Sequence, residues 1–234
     1  MNILGWLLGR RPALTPSQQE RLQRWRALPE PSLAQAHQDE RFVVVDVETS
    51  GLDVYSDRLI AIGAVTLEQS MIALERGFYR VLRQERVSSH DNILVHGIGG
   101  TAQSEGDDPG SVLVDFLEYI GKAPLVAFHA QFDAIMLRKA VRRILGEPFR
   151  RSWLDLAYLA PAVDGAASAT RSLDDWLGAY GITNYRRHDA LADALATAQL
   201  LQVLASRASV AGARHTAQLM DSARSAEWLS KQVR

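Results

Sequence analysis

The chain has 234 residues, 47% hydrophobic and 23% charged, with a formal net charge of −1 and no cysteine. That mix excludes intrinsic disorder, collagen-like repeats and a disulfide scaffold, and the missing thiols exclude cysteine nucleophiles and thiolate zinc sites. The balanced charge argues neither for nor against nucleic acid. The most apolar early run, residues 3–8, is far shorter than the ~20 residues a bilayer needs, so the expectation is a cytoplasmic protein without membrane contact.

In chain order, Thr15 reads as an N-cap, with Pro16 at the first helical position and Gln18 closing a capping box. That helix runs to about Ala27, where Pro29 and Pro31 end it, and residues 32–40 read as a linker. Residues 1–40 therefore form an N-terminal helical arm, in which Trp6 and Trp25 are candidate contacts to a partner or substrate. Arg10, Arg11, Arg21, Arg24 and Arg26 crowd this arm, and Arg138, Lys139, Arg142, Arg143, Arg150 and Arg151 crowd a central segment. Either cluster suits a phosphate backbone or a solvated helix face.

At Arg41 the character changes. Phe42-Val43-Val44-Val45 is β-branched and too short for a helix, as a strand buried on both faces should be. Residues 58–67 read as a second strand and 72–82 as a third, so the opening is a meander. Residues 83–107 read as a long loop with short helical pieces. Asp108-Pro109 starts a helix ended by Gly121, and residues 125–128 form a strand leading into an amphipathic helix. Residues 153–159 continue as strand end or helix, stopped by Pro161, and 163–170 as a loop. Ser172 caps a helix to about Tyr180, and 188–207 is an Ala- and Leu-rich helix. A last helix over 214–231 would expose Leu219, Met220, Trp228 and Leu229, and is expected to pack on the body or on a partner. Strands first, then alternating helix and strand, give an α/β fold with a mixed central sheet flanked by helices.

Three acidic segments stand out. Asp46 and Glu48 sit two apart at the end of the first strand, so both project from one face, and a shared proton, a partner arginine or a metal must offset their repulsion. Asp133 falls in the first turn of the helix after the residue 125–128 strand, where the helix dipole favours a carboxylate. His188 and Asp193 would not share a helix face, so His188 belongs in the preceding loop, with Asp189 as cap and Asp193 pointing inward.

Taken together, Asp46-Val47-Glu48-Thr49-Ser50-Gly51-Leu52, Ile62-Gly63-Ala64-Val65, Phe132-Asp133 and the run from His188 to Ala194 resemble the DEDDh 3′→5′ exonucleases. These are the ribonuclease H-like, ribonuclease T-like enzymes that include the epsilon subunit of DNA polymerase III. The resemblance covers roughly residues 41–204, which makes 41–207 the expected exonuclease domain and 208–234 a C-terminal helical extension. It implies a hydrolase in which Asp46, Glu48, Asp133 and Asp193 hold two Mg²⁺ or Mn²⁺ ions and His188 is the general base. It further implies that Thr49, Gly51, Leu52 and Phe132 hold the terminal nucleotide, with Leu52 as a wedge, and that His96 lies by the 3′ end. Relatives carry His-Asn-Ala where this chain has Phe128-His129-Ala130, so His129 either replaces the Asn contact or is structural. Asp155 is expected to support the site. The expected substrate is a single-stranded or frayed 3′ end, of DNA or, in the alternative, RNA, and a polymerase or other replication or repair protein is a candidate partner. A non-catalytic nuclease-like binding module is the remaining alternative.

Overall fold

The computed structural model describes residues 14–165 and 171–232. The apolar run at Arg41 becomes β1 (Arg41–Thr49), the centre of a six-stranded sheet. Strand β2 (Leu59–Glu68) pairs with it antiparallel from Arg41↔Glu68 to Glu48↔Ala61, and the register slips between Glu48 and Thr49. In place of a single third strand over 72–82, two short ones form, β3 (Met71–Ile72) and β4 (Phe78–Val81), and both pair with β2. A single 3-10 turn at Leu74–Arg76 separates them, closed by the Gly77 amide donating to the Leu74 carbonyl at 3.0 Å. Strands β5 (Leu125–Ala127) and β6 (Trp153–Asp155) extend the other side in parallel, giving the order β3-β2-β1-β5-β6.

Helix α1 (Pro16–Ala27) carries the expected Thr15 capping box. The 83–107 segment holds two short helices, α2 (His90–His96) and α3 (Gly100–Ser104). Next come α4 (Pro109–Ile120), α5 (Ala130–Ile144), α6 (Leu156–Asp164), α7 (Leu173–Ala179), α8 (Ala190–Val210) and α9 (Thr216–Gln232). Helix α6 runs through Pro161, where a stop was expected. Pro161 is itself buried, and the hydrogen bond its ring removes is offset by packing of the helix against α9. The expected loop at 163–170 begins later than predicted, and residues 166–170 lie outside the described residues.

Alternation along β1 sorts the layers. Val43, Val45 and Val47 face one core with α1, α4 and α5, while Phe42 and Val44 face a second core with α6, α7, α8 and α9. Asp46 and Glu48 continue the parity of Phe42 and Val44, so they leave the strand on the side where α8 lies. Helix α8 presses on the sheet through small side chains, among them the buried Ala190, Ala194 and Ala198. The tightest point is Gly63, the β2 partner of Asp46, where a Cβ would fall 2.2 Å from the Ala190 carbonyl carbon.

The arm is docked rather than free. Trp25 is buried, donates its indole N–H to the Gly121 carbonyl at 2.7 Å and lies under the Lys122 ammonium, 3.7 Å from the ring centre. Arg21 pairs with Asp115 at 2.6 Å and with Glu118, Arg24 with Glu20 at 2.7 Å, and Arg26 with Glu147. These three arginines are therefore neutralised locally, and Trp25 belongs to the core, contrary to the exposed contact expected of it; Trp6, Arg10 and Arg11 lie outside the described residues. The expected linker also has partners. Ala36 bridges to His215, the His37 amide donates to the Arg214 carbonyl at 3.0 Å, and the Thr216 amide to that of Gln35 at 3.2 Å. Helix α9 packs on α6 and buries Leu219 and Met220, while Trp228 and Leu229 stay exposed.

Because only hydrogen fits at position 63, Gly63→Ala is expected to lower the free energy of unfolding by about 1–3 kcal/mol, the usual cost of overpacking. Urea unfolding followed by circular dichroism measures this, and an unchanged midpoint would contradict the packing described.

Candidate active site

At the carboxyl end of β1, oxygens of Asp46, Glu48 and Asp193 all lie within 4.8 Å of one another. The pair from β1 meets the first turn of α8 because Asp189 caps that helix, its carboxylate accepting the Ala192 amide at 3.1 Å. Asp193 is then turned inward and is 4% exposed. Asp133, in the first turn of α5, is also buried and lies outside this trio. Its charge nevertheless acts on both Asp46 and Glu48, so it belongs to the same acidic pocket.

The electrostatics are those of acids without enough cations. Burial holds the Asp46 carboxyl well above the usual carboxylate range, and Asp133, Asp193 and Glu48 push it further. Burial, reinforced by Asp193, Asp189 and Asp133, pushes Glu48 up to about 8. Burial also takes Asp133 to about 8, with Asp155 adding to it and the amides of Asp133 and Val47 opposing. Against these stands one guanidinium. Arg187 bonds the Asp193 carboxylate and lies 2.7 Å from Asp174. Convergent carboxylate oxygens, buried at Glu48, Asp133 and Asp193 and half-buried at Asp46, are the donor set of hard divalent cations, and the residues fit such ions.

His188 is exposed and adopts a left-handed backbone conformation (φ +60°), which aims its amide at Asp193 Oδ2, 2.9 Å away. Asn184 donates to the same carboxylate and accepts the Arg186 amide at 3.0 Å, so Asp193 organises the whole loop ahead of α8. Arg187 and Asn184 did not stand out in the sequence. An arginine beside His188 was the only signal, and its partner Asp174 belongs to another helix.

The turn after β1 is built around Asp57. Its carboxylate accepts the Ser50 hydroxyl at 2.7 Å and the Asp53 amide at 2.8 Å, and a Cβ on Gly51 would collide with it at 2.4 Å. Thr49 is buried and donates its hydroxyl to the Gly51 carbonyl at 2.7 Å. Leu52 is left 87% exposed at the tip. Phe132 is half-buried against the first core.

The other two candidate histidines, His129 and His96, are bonded within their own surroundings. His129 takes a left-handed conformation at the entry to α5, fixed by its amide donating to Asp155 Oδ1 at 3.0 Å, and its ring meets Phe128 edge-on. Asp155 also caps α6 through the Ala157 amide at 3.0 Å, so this acid supports the turn rather than joining the trio. His96 is buried, with Nδ1 accepting the Ile98 amide at 2.9 Å and Nε2 bonded to Asn92 at 2.9 Å. Both ring nitrogens are thereby occupied within its own segment.

A six-stranded mixed sheet flanked by helices is a ribonuclease H-like fold. The chain belongs to the RNase T exonuclease family, whose model, described as Exonuclease, matches residues 43–201. It is similar to the PolC-type DNA polymerase III of Thermotoga maritima, 32% identical over 162 residues, a match covering 69% of this chain and only 12% of that one. With the DNA polymerase III subunit epsilon of Rickettsia felis it shares 27% identity over 68% of this chain and 72% of the other. Among solved structures it resembles E. coli Exonuclease I in complex with a dT13 oligonucleotide (TM-score 0.62, 19% identity, 73% of this chain and 42% of that one). It also resembles Exonuclease X in complex with 5′ overhanging duplex DNA (TM-score 0.59, 20% identity, 78% and 99%). The family is one of exonucleases, and the chain spans only about an eighth of the length of the PolC-type relatives that it matches. Among the described residues, no helix is long and apolar enough to cross a membrane.

The raised carboxylates link metal-free stability to pH. Glu48 and Asp133 titrate near 4 in an unfolded chain and near 8 in the folded one, so the folded state holds extra protons between these values. The stability they contribute is fully present below pH 4 and is lost as pH rises through 8. In EDTA the melting temperature is therefore expected to fall by about 10 °C between pH 6 and 9, and the rise on adding Mn²⁺ to grow over the same window. Differential scanning fluorimetry reads both, and a pH-independent gap would be incompatible with this pocket.

Proposed function

We propose that this protein is a metal-dependent 3′→5′ exonuclease that releases nucleoside monophosphates from a single-stranded or frayed 3′ end of DNA. The observation that carries this reading is the convergence of Asp46, Glu48 and Asp193 next to the loop of the exposed His188, whose own backbone is anchored to one of them. We assign residues 41–207 as the catalytic domain, 1–40 as its arm and 208–234 as its extension.

Asp46, Glu48, Asp133 and Asp193 would hold two Mg²⁺ or Mn²⁺ ions, whose four charges match those of four ionised carboxylates. Bound there, the ions supply charge stabilisation to the attacking and leaving oxygens of the phosphodiester. His188 takes the proton from the attacking water, and its exposed position on the loop gives the ring access to bulk buffer to release it. Asp193 orients that loop, through the His188 amide and Asn184. Leu52, held out by the Asp57-centred turn, parts the terminal base from its neighbour, and the backbone from Thr49 to Leu52 together with Phe132 receives the terminal nucleotide. His129 and His96 are assigned to the fold. The relatives named as DNA polymerase III subunits, and neighbours solved with DNA, favour DNA over RNA and make a replication or repair protein the candidate partner.

The test is a 5′-labelled 20-mer, as DNA and as RNA, incubated with Mg²⁺. A ladder shortening from the 3′ end is expected, faster on DNA; faster loss of RNA would move the assignment to RNA trimming. Asp46→Asn should lower the rate by about 10³ or more. His188→Gln should lower it by 10²–10⁴, the range for a lost general base, while keeping the Mn²⁺-induced rise in melting temperature. Equal activity of Asp46→Asn and the parent chain would overturn the proposal.

A further inference from the structure

A cavity of about 920 Å³ opens on the first-core side of the sheet, and none of the four acids lines it. Its walls are the start of α1, the 56–58 turn, the segment after β4, the start of α4 and the outer turns of α5. Leu59, Leu82, Met136 and Ala140 make an apolar floor, each of them buried in the core. Around it five cations, Arg58, Arg83, Arg86, Lys139 and Arg143, face three acids, Asp57, Glu85 and Asp108.

Their bonding leaves positive charge uncancelled. Lys139 donates to the carbonyls of Val54, Tyr55 and Asp57 at 2.9, 2.7 and 2.7 Å, and Arg58 to that of Arg86 at 2.8 Å, bonds that hold the ammonium and guanidinium in place without neutralising them. Asp57 is turned away into its own turn. Arg83 and Asp108 pair at 3.6 Å, each more than half exposed, an arrangement worth little in water. Arg86 and Arg143 are exposed, and neither forms an ion pair among the described residues. An apolar floor with a cationic rim matches a single strand of nucleic acid, whose bases seek cover and whose phosphates seek guanidinium.

Two further features fix the occupant. The 56–58 wall belongs to the same turn that presents Leu52, so the cavity adjoins that turn. The wall made by Thr15 and Gln18 belongs to the arm, outside residues 43–201 that match the family, and Gln18 is tied to the α4 wall by its amide donating to Ser111 at 3.0 Å. The cavity is thus completed by a segment outside the residues that match the family model.

We propose that this cavity is a second nucleic-acid site, which grips the single strand several nucleotides upstream of the reacting 3′ end through Arg86 and Arg143. The proposal rests on the nuclease reading, but its test separates the two. The double variant Arg86→Ala/Arg143→Ala is compared with the parent chain on three substrates: the nitrophenyl ester of thymidine 5′-phosphate, a trinucleotide and a 20-mer. Turnover of the ester and KM for the trinucleotide should stay within about twofold. KM for the 20-mer should rise about tenfold, and the dependence of log affinity on log salt should flatten by about 1.4, since each phosphate of a single strand that is no longer neutralised removes about 0.7. Arg86→Lys/Arg143→Lys should recover most of the affinity. An unchanged KM for the 20-mer, or an equal loss on the ester, overturns the second site. If the parent chain turns over no substrate, the nuclease reading fails, and anisotropy of a labelled 20-mer in EDTA then decides the cavity alone: about tenfold weaker binding by the double variant supports it, and equal binding refutes it.

Discussion

Three carboxylates within 4.8 Å of one another, two buried and one half-buried, repel strongly in a poorly solvated pocket, and the architecture around β1 is organised by that repulsion. Two acids come from one strand face, one from the first turn of α8 and one from the first turn of α5. The two helix starts contribute partial positive charge as well as carboxylates, which lessens the cost of gathering the acids. Arg187 takes the remaining part of that role. It lies against Asp193 and Asp174, and so places a counter-ion inside the pocket.

Reaching this geometry depends on backbone detail more than on large side chains. Small residues along α8 and the absence of a side chain at Gly63 bring the helix close enough to the sheet for Asp193 to meet Asp46. The register slip after Glu48 turns the chain into the Asp57-centred turn without a regular hairpin. Left-handed conformations at His129 and His188 fall just before the two helices that carry Asp133 and Asp193, which places non-glycine residues in an uncommon region at two functional corners.

Much of this was legible because it was local. Strand alternation puts Asp46 and Glu48 together within three residues, and helical geometry alone removes His188 from the face of Asp193 and makes Asp189 a cap. The capping box at Thr15 and the cap at Ser172 formed as read. What stayed hidden depends on distant partners. Nothing near Arg21 announces Asp115 and Glu118, and nothing near residue 36 announces His215, so an arm and a linker that read as loose are both docked. His96 was drawn toward the substrate by resemblance, yet Asn92 sits one helical turn earlier and holds its ring. Trp25 shows the same limit: an aromatic among arginines reads as a contact surface until the fold supplies Gly121 and Lys122 beneath it.

The junction of residues 33–40 with the start of α9 has a mechanical corollary. Ala36 and His215 clasp each other, Ser209 and the Ala213 carbonyl hold the His37 ring, and the Thr216 hydroxyl meets the buried Glu40 carboxyl at 3.3 Å. This buckle joins segments nearly 180 residues apart in the chain, one of which leads back to α1 and the other forward to the exposed Trp228 and Leu229. A pull on the far end of α9 therefore travels through the buckle to the arm along a route that bypasses the sheet. The arm's hold on the body and the seating of α9 should loosen together, as one latch rather than as two independent flaps.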